Sequence, residues 1–281
     1  MSKHIIMSFN SKFVLPACTT IYTLFLHNSD VILYIGYQDL TIGEMNCIKR
    51  FEKMRKDNFI RFIRLENSLE KRLKVDTGRW TTYTFNRFTL PEYIPENADR
   101  CLWLDADLMI RGDISEFYSM DFEENYFAGA CEDTSNPLER LGFSDYINAG
   151  VLLMNLKRLR ADNAFDRLWE FVLDPSFDYP LLDQDAINLV FRGQIKYVPE
   201  YMWNRVPLHF GEGKDENPDF EKADQARIVH FLSKDKPWLQ ECARAWDACS
   251  VQYPVTGKYY DEYLDYLEST MDFLEENGGN G

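Results

Sequence analysis

The chain has 281 residues, 45% hydrophobic, 15% aromatic and 27% charged, which excludes a disordered, collagen-like or low-complexity protein. Lys and Arg total 31 against 46 Asp and Glu, a formal net charge of −15, so the overall field repels phosphate polymers and argues against a nucleic-acid partner. The length suits one large α/β domain with a small appendage, and a small anionic ligand stays compatible where a metal ion or a few local cations neutralise it.

In chain order, residues 3–7 (KHIIM) read as a short buried strand, broken by residues 8–13. Residues 16–27 favour a helix with an apolar face. Residues 31–37 (VILYIGY) are β-branched and aromatic and read as a second strand. Met45, Ile48, Phe51 and Met54 recur every three residues and predict a helix over 42–56. Residues 59–65 are the next strand. Such alternation argues for βαβ units and a mainly parallel sheet flanked by helices.

Residues 80–94 are expected to be helical, and 101–104 (CLWL) to form a short strand. Strands are expected over 126–131 and 147–156, helices over 157–171 and 183–191, and late strands over 195–198 and 227–232. Residues 211–219 are polar and turn-rich. No fixed-period repeat is visible. From residue 259 the chain is acidic and aromatic and predicts a C-terminal helix with a frayed, glycine-rich end. The expected division is a main domain over 1–257 and this acidic segment over 258–281.

Six cysteines (Cys18, Cys47, Cys101, Cys131, Cys242 and Cys249) contain no CxxC pair, so neither a zinc ribbon nor a thioredoxin-like site is indicated. Cys101 and Cys131 lie in apolar runs and read as reduced, buried strand residues. Residues 1–13 lack the apolar stretch of a signal peptide, and no segment approaches the ~20 apolar residues needed to cross a bilayer. The expected location is the cytoplasm.

The central chemical feature is LDAD, residues 104–107, directly after the CLWL strand. Ligands of open α/β sheets sit beyond the carboxyl ends of the strands. Two carboxylates two residues apart in extended geometry point to one side, so Asp105 and Asp107 can share a hard divalent cation. The competing reading is a solvated turn. Far downstream, His230 stands in an apolar run (VHF), either as a core histidine or as an imidazole that completes a manganese-type donor set. The adjoining SKDKPW supplies cations for a diphosphate, or forms a solvated loop. In YINAG, Asn148, Ala149 and Gly150 open a hydrophobic strand with small residues that permit close backbone approach. Asp183 and Gln184 open a helix, where Asp183 can equally be an N-cap and Gln184 has no such role.

Taken in order, LWLDADLMIRGDI, GACED, YINAGVLLMNL, LLDQDAIN and HFLSKDKPW resemble family 8 glycosyltransferases, over about residues 5–238. The resemblance implies a GT-A fold and transfer of glucose or galactose from a UDP-sugar donor, with anomeric retention, to a saccharide or glycolipid acceptor. It implies Mn²⁺ as cofactor, with Mg²⁺ as an alternative. Asp105 and Asp107 match the metal-binding DxD pair and His230 the third ligand. Asp105, Ala106 and Asp107 would border the nucleotide. Lys236 and the backbone near Ser233 are similar to the diphosphate contacts of a closing loop. Arg87, Asn148, Ala149, Asp183 and Gln184 are similar to residues that bind the donor sugar. Asp133 and Gln184 take the catalytic places, and Ser8, Asn10 and Phe13 fall where the family binds uridine.

The chain departs from the pattern at Asn10, often aspartate, at Phe13, often tyrosine, and at Ser233, often glycine. An amide at Asn10 offers both donor and acceptor to a base. Where some bacterial relatives carry a basic C-terminus that holds them to the membrane, this chain is acidic after Lys258, and an anionic leaflet would repel it. A role in cell-surface polysaccharide or lipopolysaccharide synthesis is expected, by a monomer or homodimer. The readings weighed against it are a nucleotide-sugar-binding protein without transfer activity, a metal-dependent phosphohydrolase, which wants a second metal or base, and a nucleotidyltransferase, which wants a glycine-rich loop after the first strand.

Overall fold

The computed structural model describes residues 2–65, 82–131, 141–142, 145–207, 219–232, 236–239 and 253–278. Strands β1 (Lys3–Ser8), β2 (Val31–Tyr37) and β3 (Phe59–Arg64) alternate with helices α1 (Val14–His27) and α2 (Ile42–Lys49), as the apolar pattern predicts. A capping box starts α2: the Thr41 side chain accepts from the Glu44 N–H, and the Glu44 carboxylate accepts from the Thr41 N–H. The helix expected over 42–56 tightens after Lys49 into a 3-10 turn, Arg50–Met54.

Residues 82–93 do not form one helix. A 3-10 turn (Thr82–Phe85), the short helix α3 (Asn86–Thr89) and a second 3-10 turn (Leu90–Tyr93) follow one another. Pro91 has no N–H to continue a helical ladder. Then come β4 (Cys101–Leu104), β5 (Leu108–Ile110), α4 (Ser115–Ser119), β6 (Phe127–Cys131) and β7 (Ile147–Met154). The helix expected over 157–171 is two, α5 (Leu156–Ala161) and α6 (Ala164–Leu173), separated where Asn163 turns left-handed at φ 46°. The chain continues through α7 (Leu182–Val190), β8 (Ile195–Val198), α8 (Glu200–Trp203), α9 (Phe220–Gln225), β9 (Ile228–His230) and α10 (Pro254–Glu276). Most of the turn-rich segment expected over 211–219 lies outside the described residues.

Among the described residues, seven strands form one sheet in the order β3-β2-β1-β4-β7-β6-β8. Pairing is parallel except for β7, which runs antiparallel to both β4 and β6. The mainly parallel, helix-flanked architecture is thus as expected. Strands covered on both faces read as continuous apolar runs rather than alternating ones. Ile5, Met7, Leu33, Leu102 and Leu104 pack against α1 on one side, and Ile6, Tyr34, Trp103 and Leu152 pack toward α6 and α7 on the other.

The late strand does not join this sheet. β9 pairs antiparallel with β5, a three-residue strand that the apolar pattern did not single out, with Leu108 opposite His230. The Asp105–Asp107 turn carries the chain out of β4 and presents β5 to a new partner. Behind β9, Phe231 packs edge-on against Tyr260 and Tyr263 of α10, with ring centroids 5.7 and 5.0 Å apart. α10 begins five residues before the expected Tyr259, and Arg111 pins it through a two-oxygen contact with Glu262 at 2.8 and 2.9 Å. No helix among the described residues is long and apolar enough to cross a membrane. Cys18, Cys47, Cys101 and Cys131 are free thiols; Cys101 is buried and Cys131, at the end of β6, is half-buried.

Candidate active site

Asp105 follows β4 directly, and its N–H donates to Gly150 O at 2.8 Å, which extends the β4–β7 pairing by one residue. Its Oδ1 accepts from Trp103 Nε1 at 2.7 Å, which turns Oδ2 toward His230, 3.8 Å from Nε2. Asp107 Oδ1 lies 3.2 Å from the same nitrogen. One ligand atom from each of Asp105, Asp107 and His230 falls within 4.8 Å of the others. The β5–β9 pair creates this cluster, because His230 ends β9 while Asp107 precedes β5.

Two observations fit a divalent cation here. His230 is fully buried, and although Asp107 Oδ1 is 3.2 Å away, its Nε2 makes no well-aligned hydrogen bond among the described residues. Such an orphan is costly unless something else engages it. Gly150 lines the same space: a Cβ there would stand 2.2 Å from His230 Cε1 and 2.7 Å from Asp105 Oδ2. One imidazole nitrogen and two carboxylates are a donor set suited to a manganese-like ion.

Lys236 reaches into the cluster. Its Nζ is 2.6 Å from Asp107 Oδ2 and also donates to Phe231 O. Burial opposes ionisation of Asp107, but the Lys236 ammonium and His230 outweigh it and hold the carboxyl well below the usual carboxylate range.

Arg87 joins this cluster to a second set of polar groups. Its buried guanidinium donates to Thr84 O (3.1 Å) and Ala149 O (2.6 Å), and pairs with Asp105 (3.2 Å) and Asp183 (2.9 Å). It also lies 4.8 Å from the Trp103 ring centroid. Burial pushes the Asp183 carboxyl up to about 6; Arg87 pulls it down and Asp105 pushes it further up. Asp183 is not the N-cap of α7, a place held by Leu181. Leu182, between them, sits at φ 46°, a strained conformation for leucine that sets the direction in which Asp183 and Gln184 leave the loop. Gln184 Oε1 accepts from Ala149 N–H at 3.0 Å and Asn148 Nδ2 at 3.2 Å. Thus Arg87, Asp105, Ala149, Asn148, Asp183 and Gln184 form one connected assembly.

The segment expected at uridine leaves β1, the strand parallel to β4, at the same sheet edge. Ser8 Oγ donates to Gly36 O (3.0 Å) and accepts from Asn86 Nδ2 (2.8 Å), which ties it to the residue before Arg87. Asn10 Oδ1 accepts from Lys12 N–H at 3.1 Å and caps the 3-10 turn Ser11–Phe13, and the Phe13 ring is 37% exposed. Ala106 is buried, with its carbonyl on Thr20 Oγ1 at 3.1 Å. Asp133 and Ser233 lie outside the described residues.

Two site residues escaped the sequence reading. Trp103 looked like strand core, although its indole N–H orients Asp105. Asn204, after buried Trp203, meets His230 Nδ1 at 3.0 Å and Asn148 Oδ1 at 2.9 Å. An isolated asparagine after an aromatic residue carries no local signal for such a position.

The family model described as glycosyl transferase family 8 matches residues 4–242. Over 205 residues the chain is 29% identical to the lipopolysaccharide 1,3-galactosyltransferase of Salmonella typhimurium, a match covering 64% of this chain and 60% of that protein. It is 28% identical over 247 residues to glycosyltransferase GlyF of Streptococcus pneumoniae, covering 85% and 58%. The chain therefore spans about 60% of the length of these curated relatives. Among solved structures, the galactosyltransferase LgtC, in complex with donor and acceptor sugar analogues, superposes with a TM-score of 0.71 at 19% identity, over 95% of both chains. The bifunctional glycosyltransferase WbbM gives 0.74 at 15% identity, over 98% of this chain and 51% of that one. At these identities the structural likeness shows the fold, which is GT-A.

Proposed function

The chain belongs to glycosyl transferase family 8, and we propose that it is a hexosyltransferase that moves glucose or galactose from a UDP-sugar to a saccharide or glycolipid acceptor. The proposed transfer retains anomeric configuration, depends on Mn²⁺ (with Mg²⁺ as an alternative) and serves cell-surface polysaccharide or lipopolysaccharide synthesis. The observation that carries the reading is the convergence of Asp105, Asp107 and Nε2 of the buried His230. These three side chains would hold the cation, which when bound supplies Lewis-acid stabilisation to the departing diphosphate.

The chain's own groups do the rest. Lys236 exchanges Asp107 for the diphosphate and adds a point charge as the site shuts. Ser8, Asn10 and Phe13 receive the nucleotide beside Ala106, with the exposed Phe13 ring offered to the base and the backbone at Ser233 to the diphosphate. Arg87 and Asp183 hold sugar hydroxyls, with Asn148 and Ala149 as the floor. A neutral amide is a poor nucleophile, so Gln184 does not form a covalent bond. The acceptor hydroxyl attacks the oxocarbenium-like anomeric centre from the face the diphosphate leaves, and the departing phosphate oxygen takes its proton. Gln184 Oε1 stabilises the positive charge once it gives up Asn148. Asp133 orients sugar or acceptor. A cytoplasmic setting belongs to the same proposal.

The test is Asp105→Asn with Asp107→Asn, assayed with a panel of nucleotide sugars and Mn²⁺. Cation-dependent donor hydrolysis is expected to vanish while the fold persists by circular dichroism. Undiminished hydrolysis would remove the metal reading.

A further inference from the structure

The geometry points to Asn204 as a positioning residue: with Asn148 it forms a buried amide relay through which the backbone of β7 fixes which ring nitrogen of His230 faces the two carboxylates. This deepens the metal reading above and rests on it only for its consequence, not for the relay itself.

The direction of every bond in the relay follows from two backbone donors. Gly150 N–H lies 2.9 Å from one terminal atom of the Asn148 side chain, and an N–H can only donate, so that atom is the oxygen. Ala149 N–H lies 3.0 Å from Gln184, which by the same logic presents its Oε1. The Asn148 amide nitrogen then donates to Gln184 Oε1 at 3.2 Å, in agreement with the first assignment. Asn204 approaches the Asn148 oxygen at 2.9 Å and must therefore offer its amide nitrogen. That leaves the Asn204 oxygen 3.0 Å from His230 Nδ1, so Nδ1 carries a proton and donates. Nε2 is the remaining ring nitrogen, and it is the one turned toward Asp105 and Asp107, where a shared cation would meet it.

The relay has little freedom to rearrange. Asn148, Asn204 and His230 are 6%, 1% and 0% exposed. Asn204 ends α8, its N–H on Glu200 O at 3.0 Å. The next residue, Arg205, donates to Ile228 O at 2.9 Å and accepts from His230 N–H at 2.8 Å, so the backbones carrying Asn204 and His230 are joined side by side. Flipping Asn148 would set donor against donor, and flipping Asn204 would set its oxygen against the Asn148 oxygen, in a dry interior. Partners of this kind, behind a ligating histidine, fix tautomer and ring orientation and raise ligand basicity. Because Asn148 also holds Gln184, the relay spans from the metal-facing nitrogen to the proposed sugar site.

The experiment labels the histidines of the full chain with ¹⁵N and reads which ring nitrogen of His230 is protonated, its signals assigned by their loss in His230→Gln. There are four histidines to resolve. Wild type is expected to show a proton on Nδ1, and Asn204→Ala to lose it in favour of the Nε2–H form. Calorimetric Mn²⁺ affinity of Asn204→Ala is expected to fall about 10–100-fold. A merely structural Asn204 would lower the melting temperature and leave the tautomer alone, so an unchanged tautomer in a folded Asn204→Ala overturns the relay. If that variant does not fold, the wild-type spectrum decides: an unprotonated Nδ1 at His230 overturns the proposal and Nδ1–H upholds it. Wild type with the expected tautomer but no Mn²⁺ uptake upholds the relay and sinks the metal reading instead.

Discussion

Asp183 shares the buried guanidinium of Arg87 with Asp105, so one cation serves two carboxylates. That uneven pairing leaves burial dominant, and the Asp183 carboxyl titrates at about 6. In an unfolded chain it would titrate near ~4. Between those values the folded protein binds the proton and the unfolded chain does not, so stability falls as pH rises from about 4 to about 6. A shift of roughly two units corresponds to about 3 kcal/mol. Asp183→Asn removes the titrating group. Denaturant unfolding from pH 4 to 6 is expected to show a flatter stability profile for the variant than for wild type. Equal slopes would show that the Asp183 carboxyl titrates alike in both states.

The three-residue β5 and its partner β9 accomplish more for the site than their size suggests, because their register sets Leu108 against His230 and so places His230 beside Asp107. β7 supplies the opposite wall, and at Gly150 it leaves no room for a Cβ against His230. Gly150→Ala is expected to displace His230 rather than unravel β7, since the glycine has ordinary strand backbone and the clash is with side-chain atoms. Calorimetry should then show Mn²⁺ affinity at least ~10-fold weaker, the lower end of what disturbing a ligand's support costs. Affinity within twofold of wild type would refute the close approach.

The same elements explain what the sequence could and could not disclose. β1, β2, β4 and β7 were legible because burial on both faces leaves uninterrupted apolar runs. The Asp pair was legible because charge directly after such a run is out of place. β5 was not, since three residues carry no period. In residues 82–93 the helical expectation passed over Pro91, a breaker visible in the sequence, and the break at Asn163 depends on one left-handed residue. Asn204 was invisible because its role depends on neighbours brought close only by folding.

Across the whole molecule, charge and packing divide the work between two ends of the chain. The acidic α10 turns Tyr260 and Tyr263 inward onto Phe231, the residue after His230, and buries Tyr259 beneath Arg111, and it leaves its carboxylates outside apart from Glu262 on Arg111. The helix therefore braces β9 from behind while the sheet frames the site from the front. Like β4, β7 is buried at every residue and paired along both edges, and with eight residues it is the longer of the two. Its amide protons should accordingly be among the last to be replaced in deuterated water, protected up to the global unfolding free energy, whereas those of α9 and of the Ser11–Phe13 turn should be replaced early. Early labelling of Ala149 and Gly150 would contradict that ranking. If it holds, the wall bearing Asn148 does not breathe separately from the fold, and turnover has to be accommodated by segments that hinge against a stationary backstop.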